Sequence, residues 1–177
     1  MRSNWIPMAP ASMDFRLPDP SSTEALGHAL ALALPAPNPG AIVYLQGELG
    51  SGKTTCARSL LRALGVTAPI RSPTYTLVDH YSLPALECVH VDLYRLRSSA
   101  EVDELGLRDL IGQGCFMLIE WPERGGAAVP AADLKTALNY SDAGRTATVL
   151  ATTRLGESWL HNLGRDTSLS PYVSNLT

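Results

Sequence analysis

Eight consecutive residues carry the clearest chemistry in this chain of 177 residues: Gly47-Glu48-Leu49-Gly50-Ser51-Gly52-Lys53-Thr54. Two glycines separated by four residues and followed by Lys and a hydroxyl residue form a phosphate-binding loop pattern. Chance places such a pattern in a chain of this size on the order of one time in a hundred. Glycine lets the backbone curl until several N–H groups converge on one anion. Lys53 would then neutralise the β- and γ-phosphates of a nucleotide, and Thr54 would offer its hydroxyl to Mg²⁺. Gly47, Gly50, Ser51, Gly52, Lys53, Thr54 and Thr55 are therefore the expected phosphate contacts.

A divalent ion held by a hydroxyl and phosphates needs a hard anionic oxygen as well, usually from the end of a neighbouring strand. Asp92 follows Cys88-Val89-His90-Val91, and Glu120 closes the apolar run Cys115-Phe116-Met117-Leu118-Ile119. In an open α/β sheet both acids would project where ligands gather, beyond the carboxyl ends of the strands. An acid ending so apolar a run is costly unless it meets a cation, which favours Glu120. Each acid has a plainer reading as a solvated stop or a cap for the next helix. Thr54, Asp92 and Glu120 form the expected metal set, and Lys53, Asp92 and Glu120 the expected catalytic set.

Arg71-Ser72-Pro73-Thr74-Tyr75-Thr76 concentrates a cation, hydroxyls and a rigid proline, the chemistry of a loop able to sense a γ-phosphate; a bland turn is the alternative. His90 and Tyr94 share strand alternation with Asp92 and are expected to be packed rather than catalytic.

The elements that must hold these residues can be read from periodicity. Ser21, Ser22 or Thr23 would cap a helix running to about Leu34, with Leu26, Leu30 and Leu34 on one face, ended by a Pro35–Gly40 breaker. Ala41–Gln46 reads as a strand covered on both faces and Gly52–Leu64 as the helix after the glycine turn. Strands are expected at Thr76–Tyr81, Glu87–Tyr94 and Cys115–Ile119, and short helices near Ser99–Leu105 and Leu107–Ile111. Leu134–Tyr140 and Arg145–Thr152, joined by Ser141-Asp142-Ala143-Gly144, predict an antiparallel hairpin, and Leu155–Leu163 a last helix. The expectation is an α/β P-loop NTPase fold, three-layered, with a mainly parallel central sheet flanked by helices and an antiparallel C-terminal hairpin extension. Residues 1–20 are expected to be a flexible lead-in, 21–163 a single domain and 164–177 a mobile tail.

Bulk properties narrow the function classes. A composition 45% hydrophobic and 18% charged suits one well-cored globular unit, and no apolar run reaches the roughly 20 residues of a membrane helix. Met1–Pro20, broken by Pro7, Pro10, Pro18 and Pro20, does not read as an export signal, so a cytoplasmic location is expected. Cys56, Cys88 and Cys115 are odd in number and widely spaced, as reduced thiols are. A net charge of −3 opposes direct binding to a nucleic-acid backbone, which calls for a stripe of Lys and Arg.

Several ordered motifs resemble the TsaE family, also called YjeE, small bacterial P-loop ATPases of tRNA threonylcarbamoyladenosine synthesis. They are Thr23-Glu24-Ala25-Leu26-Gly27, the glycine loop, Ser72-Pro73-Thr74-Tyr75-Thr76-Leu77-Val78, His90-Val91-Asp92-Leu93-Tyr94-Arg95-Leu96, Glu104-Leu105-Gly106 and Ile119-Glu120-Trp121-Pro122. The glycine loop is widely shared, whereas the Ser-Pro-Thr-Tyr-Thr, Asp-Leu-Tyr-Arg and Glu-Trp-Pro elements together are far more specific. The resemblance implies that Glu120 completes an Mg²⁺ site opposite Thr54, that Asp92 supports it or prepares the attacking water, and that Ser72 and Thr74 lie on a switch loop. It also implies nucleotide contacts from Thr23, Trp121 and Arg145. By the same resemblance the cofactors are ATP and Mg²⁺, the partner is a TsaB–TsaD complex, and tRNA is reached only through that complex. Departures are Pro20 where helix residues are usual, Glu123 after the Glu-Trp-Pro element and the tail beyond Leu163. A small-molecule kinase is the rival reading, weakened because Arg95 and Arg97 are the only close arginine pair after the P-loop helix.

Overall fold

The computed structural model of the chain describes residues 11–36, 40–111 and 114–176. The first ten residues of the expected lead-in, the middle of the Pro35–Gly40 breaker and Thr177 lie outside these. Elements run in the order β1 (Ser12–Leu17), α1 (Pro20–Leu32), β2 (Ala41–Gln46), α2 (Lys53–Ala63), β3 (Val78–Leu83), β4 (Leu86–Asp92), α3 (Ala100–Glu104), β5 (Cys115–Glu120), β6 (Leu134–Ser141), β7 (Gly144–Ala151), α4 (Arg154–Leu163) and β8 (Val173–Leu176). Single 3₁₀ turns occupy Leu107–Leu110, Pro122–Arg124, Gly126–Ala128 and Thr167–Leu169.

All eight strands join one sheet in the order β3-β4-β5-β2-β6-β7-β1-β8. The pairs β4–β5, β5–β2 and β2–β6 are parallel. The pairs β3–β4, β6–β7, β7–β1 and β1–β8 are antiparallel. The sheet is thus mixed rather than mainly parallel. Its parallel centre is the phosphate-loop strand and its immediate neighbours, and hairpins extend it on both sides.

Strand alternation sends Phe15, Leu17, Val43, Leu45, Phe116, Leu118, Leu138 and Val149 to one face, where they meet Leu26, Leu30, Leu60, Leu61 and Trp159 of α1, α2 and α4. The Trp159 indole N–H donates to Leu30 O at 2.8 Å, satisfying the polar atom of a fully buried ring. On the opposite face Val89, Val91, Met117 and Ile119 are covered by Val102 of α3, Leu107 of the first 3₁₀ turn, and Leu93 and Val129 of the connecting segments.

Three local expectations change. The stretch before Ser21 contains β1, whose alternating Met13, Phe15 and Leu17 are buried against β7. Helix α1 is capped by Asp19, not by Ser21, Ser22 or Thr23: its carboxylate accepts from Ser22 N at 2.8 Å and Pro20 takes the first helical position. Proline there loses nothing, because that N–H has no partner within a helix. Beyond Leu163, the stretch expected as a tail forms a 3₁₀ turn with buried Leu169, and β8 on the free edge of β1.

Candidate functional site

The glycine loop runs from the end of β2 into the start of α2, and its shape depends on left-handed backbone at Gly47, Gly50 and Gly52, with φ of 137°, 78° and 108°. A Cβ at Gly47 would sit 2.1 Å from Leu138 O, a backbone atom, so conformation and space both demand glycine there, whereas at Gly50 the left-handed backbone alone demands it. No side chain caps α2, which leaves its first N–H groups and the positive end of its dipole for an anion.

Lys53 folds back over this loop, its Nζ donating to Gly47 O at 2.7 Å and Glu48 O at 2.8 Å and lying 3.8 Å from the centre of the Trp121 ring. It is 5% exposed, and burial holds its ammonium below the ordinary lysine value of 10.5, against the opposing pull of Glu120, Glu123 and Asp92. A buried cation bonded only to neutral carbonyls is suited to exchanging them for phosphate oxygens.

Glu120 and Asp92 are register partners on the parallel pair β5–β4, so both acids end their strands at one level. Thr54 Oγ1 donates to Glu120 Oε2 at 3.0 Å, and His90 Nε2 donates to Glu120 Oε1 at 2.8 Å. A carboxylate only accepts, so this contact puts the hydrogen on Nε2. Glu120 is 1% exposed and His90 fully buried, so the acid is held in one orientation. Asp92 Oδ2 accepts from the Ser72 hydroxyl and, at 3.0 Å, from Thr74 Oγ1, while Oδ1 accepts from Tyr94 N at 2.9 Å. The 71–76 loop is thereby tied to the strand end beside Glu120.

Backbone strain borders these residues on both sides. Leu77 and Trp121, at φ 65° and 58°, are the non-glycine residues in the left-handed region among the described residues. Leu77 turns the chain from the 71–76 loop into β3, with its N–H on Pro73 O and its carbonyl accepting from Asp92 N. Trp121 turns the chain out of β5, and its ring lies 5.0 Å from that of Tyr94.

Thr23 and Arg145 approach from the other side. A Cβ at Gly52 would lie 3.2 Å from Thr23 Cγ2 and 3.5 Å from Arg145 Cδ. Arg145 Nη2 donates to Gly50 O at 3.1 Å, and the Tyr140 hydroxyl donates to Leu49 O at 2.8 Å, so the β6–β7 hairpin braces the loop's outer arc. Gly27 lets α1 come close enough to place Thr23, since a Cβ there would lie 2.3 Å from Cys56 O of α2.

A cleft of about 310 Å³ brings together Gly50, Gly52, Lys53, Thr54, Thr55, Ser72, Thr74, Asp92, Glu120, Trp121 and Arg145 of the expected residues. Gly47, Ser51 and Thr23 do not line it, and the hydroxyls of Ser51 and Thr23 are buried without a partner among the described residues. No group of three or more His, Cys, Asp and Glu side chains among those residues is arranged to hold a metal. Mg²⁺ fits this donor set, because it is ordinarily bound by one or two carboxylates with phosphate oxygens and water. His90 is packed as expected, but its contact with Glu120 was not foreseen, nor was that of Tyr140 with the glycine loop. Alternation with Asp92 was the available signal for His90; nothing local pointed to Tyr140.

The model of the family described as "Threonylcarbamoyl adenosine biosynthesis protein TsaE" matches residues 17–147. The tRNA threonylcarbamoyladenosine biosynthesis protein TsaE of Haemophilus influenzae is 40% identical over 117 residues, 66% of this chain and 74% of that one. The protein of the same name from Nostoc is 38% identical over 133 residues, 72% and 78% of the two chains. The crystal structure of Bacillus subtilis YdiB superposes with a TM-score of 0.74 at 26% identity, covering 89% of this chain and 97% of that one. The matched span contains the glycine loop, the 71–76 loop and both strand-end acids, and this chain belongs to the TsaE family.

Proposed function

We propose that this chain binds ATP with Mg²⁺ in the cleft and hydrolyses it as the ATPase component of tRNA threonylcarbamoyladenosine synthesis, acting on a TsaB–TsaD complex. The observation that carries the reading is the Thr54–Glu120 hydrogen bond at 3.0 Å, directly beside a buried, uncapped helix start and Lys53. A hydroxyl and a carboxylate already in contact are the two protein ligands such an ion takes in P-loop enzymes.

Thr54 and Glu120 would hold Mg²⁺, which when bound would supply positive charge against the negative charge developing on the phosphates. Lys53 releases the carbonyls of Gly47 and Glu48 and pairs with the phosphates. The left-handed glycines and the N-terminus of α2 supply N–H groups along the chain of phosphates. Thr54 and Glu120 hold the metal, and His90 keeps Glu120 aimed at it. Three donors already engage Asp92. It therefore acts by holding the 71–76 loop at the strand end, where Ser72 and Thr74 can exchange their bonds to Asp92 for bonds to the terminal phosphate, and by orienting water. The 71–76 loop is the segment that feels the difference between tri- and diphosphate. Trp121, stacked on Lys53, shields the phosphates from solvent.

A net charge of −3 and scattered arginines suit a protein that reaches tRNA through partners. The reading further places the chain in the cytoplasm; no helix among the described residues is long and apolar enough to cross a membrane. The test is phosphate release by the full chain alone, with TsaB plus TsaD, and with candidate sugar or acid acceptors. Stimulation by the protein pair is expected. Stimulation by a small acceptor alone would replace this reading with a kinase.

A further inference from the structure

The metal end of the cleft is short of positive charge. Among the lining residues Lys53 is the cation there, because Arg145 bonds Gly50 O on the outer arc of the loop. Against it stand Glu120 and Asp92 in the lining, with Glu123 close enough to act on the Lys53 ammonium. Hydrolysis adds to the demand. The oxygen of water bonds the γ-phosphorus, the bond to the β–γ bridging oxygen breaks and its electron pair leaves on ADP, and one water proton stays on the released phosphate while the other goes to solvent. Charge shifts onto the γ and bridging oxygens as that bond parts, and some P-loop enzymes meet it with an arginine from the same chain or a partner.

We propose that Arg124 is that arginine, a catalytic residue that moves from the rim of the cleft onto the terminal phosphate in the transition state. The inference rests on the ATPase reading given above and deepens it. The Arg124 guanidinium lies 5.8 Å from the centre of the Tyr94 ring and 5.9 Å from that of Trp121, and both rings line the cleft. The Trp121 centre is itself 3.8 Å from Lys53 Nζ, so the two cations are separated by no more than these last two lengths together. One phosphoryl group with a charge-assisted hydrogen bond on each side nearly spans such a gap.

Other arginines are occupied or face elsewhere. Arg95 donates to the Tyr75 hydroxyl at 3.2 Å and lies 4.1 Å from that ring, Arg108 donates to Ala127 O at 3.2 Å, and Arg71 contacts neither Tyr94 nor Trp121. The Arg124 guanidinium makes no hydrogen bond or ion pair among the described residues, so its movement gives up only weak ring contacts on an exposed surface.

The backbone beneath it is fixed on both sides. Trp121 takes its left-handed turn immediately before the buried Pro122, and Arg124 N closes that turn on Trp121 O at 3.0 Å. Gly125 follows where a Cβ would lie 2.4 Å from Val129 Cγ2 and 2.8 Å from Val102 Cγ2. A rigid base carrying a long, uncommitted arm suits a residue that engages only as charge develops.

The experiment uses the full chain as wild type, Arg124→Ala and Arg124→Lys. Three quantities are read: phosphate release with TsaB plus TsaD, equilibrium affinity for ATP and ADP with Mg²⁺, and the tightening of ADP by aluminium fluoride, which mimics the transferring phosphoryl group. Arg124→Ala should lower turnover about a hundredfold or more and lose the aluminium fluoride effect, while ATP and ADP affinity stays within about threefold of wild type. Arg124→Lys should recover part of both, because the charge remains and the planar fork does not. Wild-type turnover in Arg124→Ala overturns the assignment. Equal weakening of ATP, ADP and the aluminium fluoride complex also overturns it, by marking a ground-state contact, as does full turnover restored by excess protein pair, which marks a docking residue. Wild-type chain that released no phosphate with the pair would remove the ATPase reading itself, whereas active wild type with an indifferent Arg124→Ala removes this inference alone.

Discussion

His90 donates its Nε2 hydrogen to Oε1 of Glu120 across 2.8 Å, inside a site where both side chains are buried. The other oxygen of that carboxylate receives Thr54. One acid on β5 is thus held from β4 and from α2 at once. This three-way arrangement makes the orientation of Glu120 a property of the tertiary structure.

If His90 positions Glu120, His90→Ala should raise the Mg²⁺ concentration needed for half-maximal turnover by roughly tenfold to a hundredfold, the usual cost of losing a ligand's outer partner. His90→Gln, whose amide can donate to the same oxygen, should recover much of it. A merely structural histidine would lower thermal stability in both variants without moving the Mg²⁺ dependence.

Glu120→Ala is expected to remove Mg²⁺-dependent phosphate release in the presence of the protein partners while nucleotide binding persists through the loop. Turnover equal to wild type would end the assignment of this acid to the metal. Lys53→Ala should instead lose nucleotide affinity, read by titration calorimetry.

The environment of Lys53 predicts a pH dependence with a definite sign. Burial lowers its proton affinity in the ligand-free chain, so deprotonation begins below the ordinary value of 10.5. Phosphates favour the protonated form and draw the proton back. Triphosphate affinity should therefore be full near neutral pH and fall as pH rises, starting below the free-lysine value, with proton uptake on binding. Lys53→Arg, which stays charged, should flatten that slope.

Gly27 joins the helix contact to the site. Gly27→Ala puts a methyl group 2.3 Å from the Cys56 carbonyl oxygen, backbone that cannot swing aside. Thermal unfolding should show a loss of about 1–3 kcal/mol, the range for overpacking a tight contact. Because Thr23 lies one turn earlier on the same helix face, nucleotide affinity should fall as well.

Cys56 offers a check on packing at the same contact. Burial, with Glu120 nearby, pushes its thiol up to about 12. The folded chain should leave Cys56 unmodified by iodoacetamide at neutral pH, and unfolding should expose it. Labelling of Cys56 in the native state would contradict the tight α1–α2 packing.

Much of the site was legible locally. The spacing of Gly47, Gly52, Lys53 and Thr54 dictates a turn into a helix, because glycine tolerates the left-handed backbone at positions 47 and 52 and the helix starts at Lys53. Continuous apolar runs marked β2 and β5 as central strands, and their abrupt ends located Glu120. Such features depend on neighbours within a few residues, so composition and period reveal them.

Sheet order did not lie in any such window. A mainly parallel sheet was the natural reading of alternating strands and helices, yet β1 and β8 add to the hairpin side. Their pairing is set by where the whole sheet leaves an edge and an uncovered apolar face. The same holds for His90 with Glu120, thirty positions apart, and for Tyr140 with the loop it braces, ninety-one apart. By itself the sequence determined which residues could bind phosphate and metal. Only the tertiary structure decided their aim, since a hydrogen bond between distant segments exists once the intervening strands have taken their places.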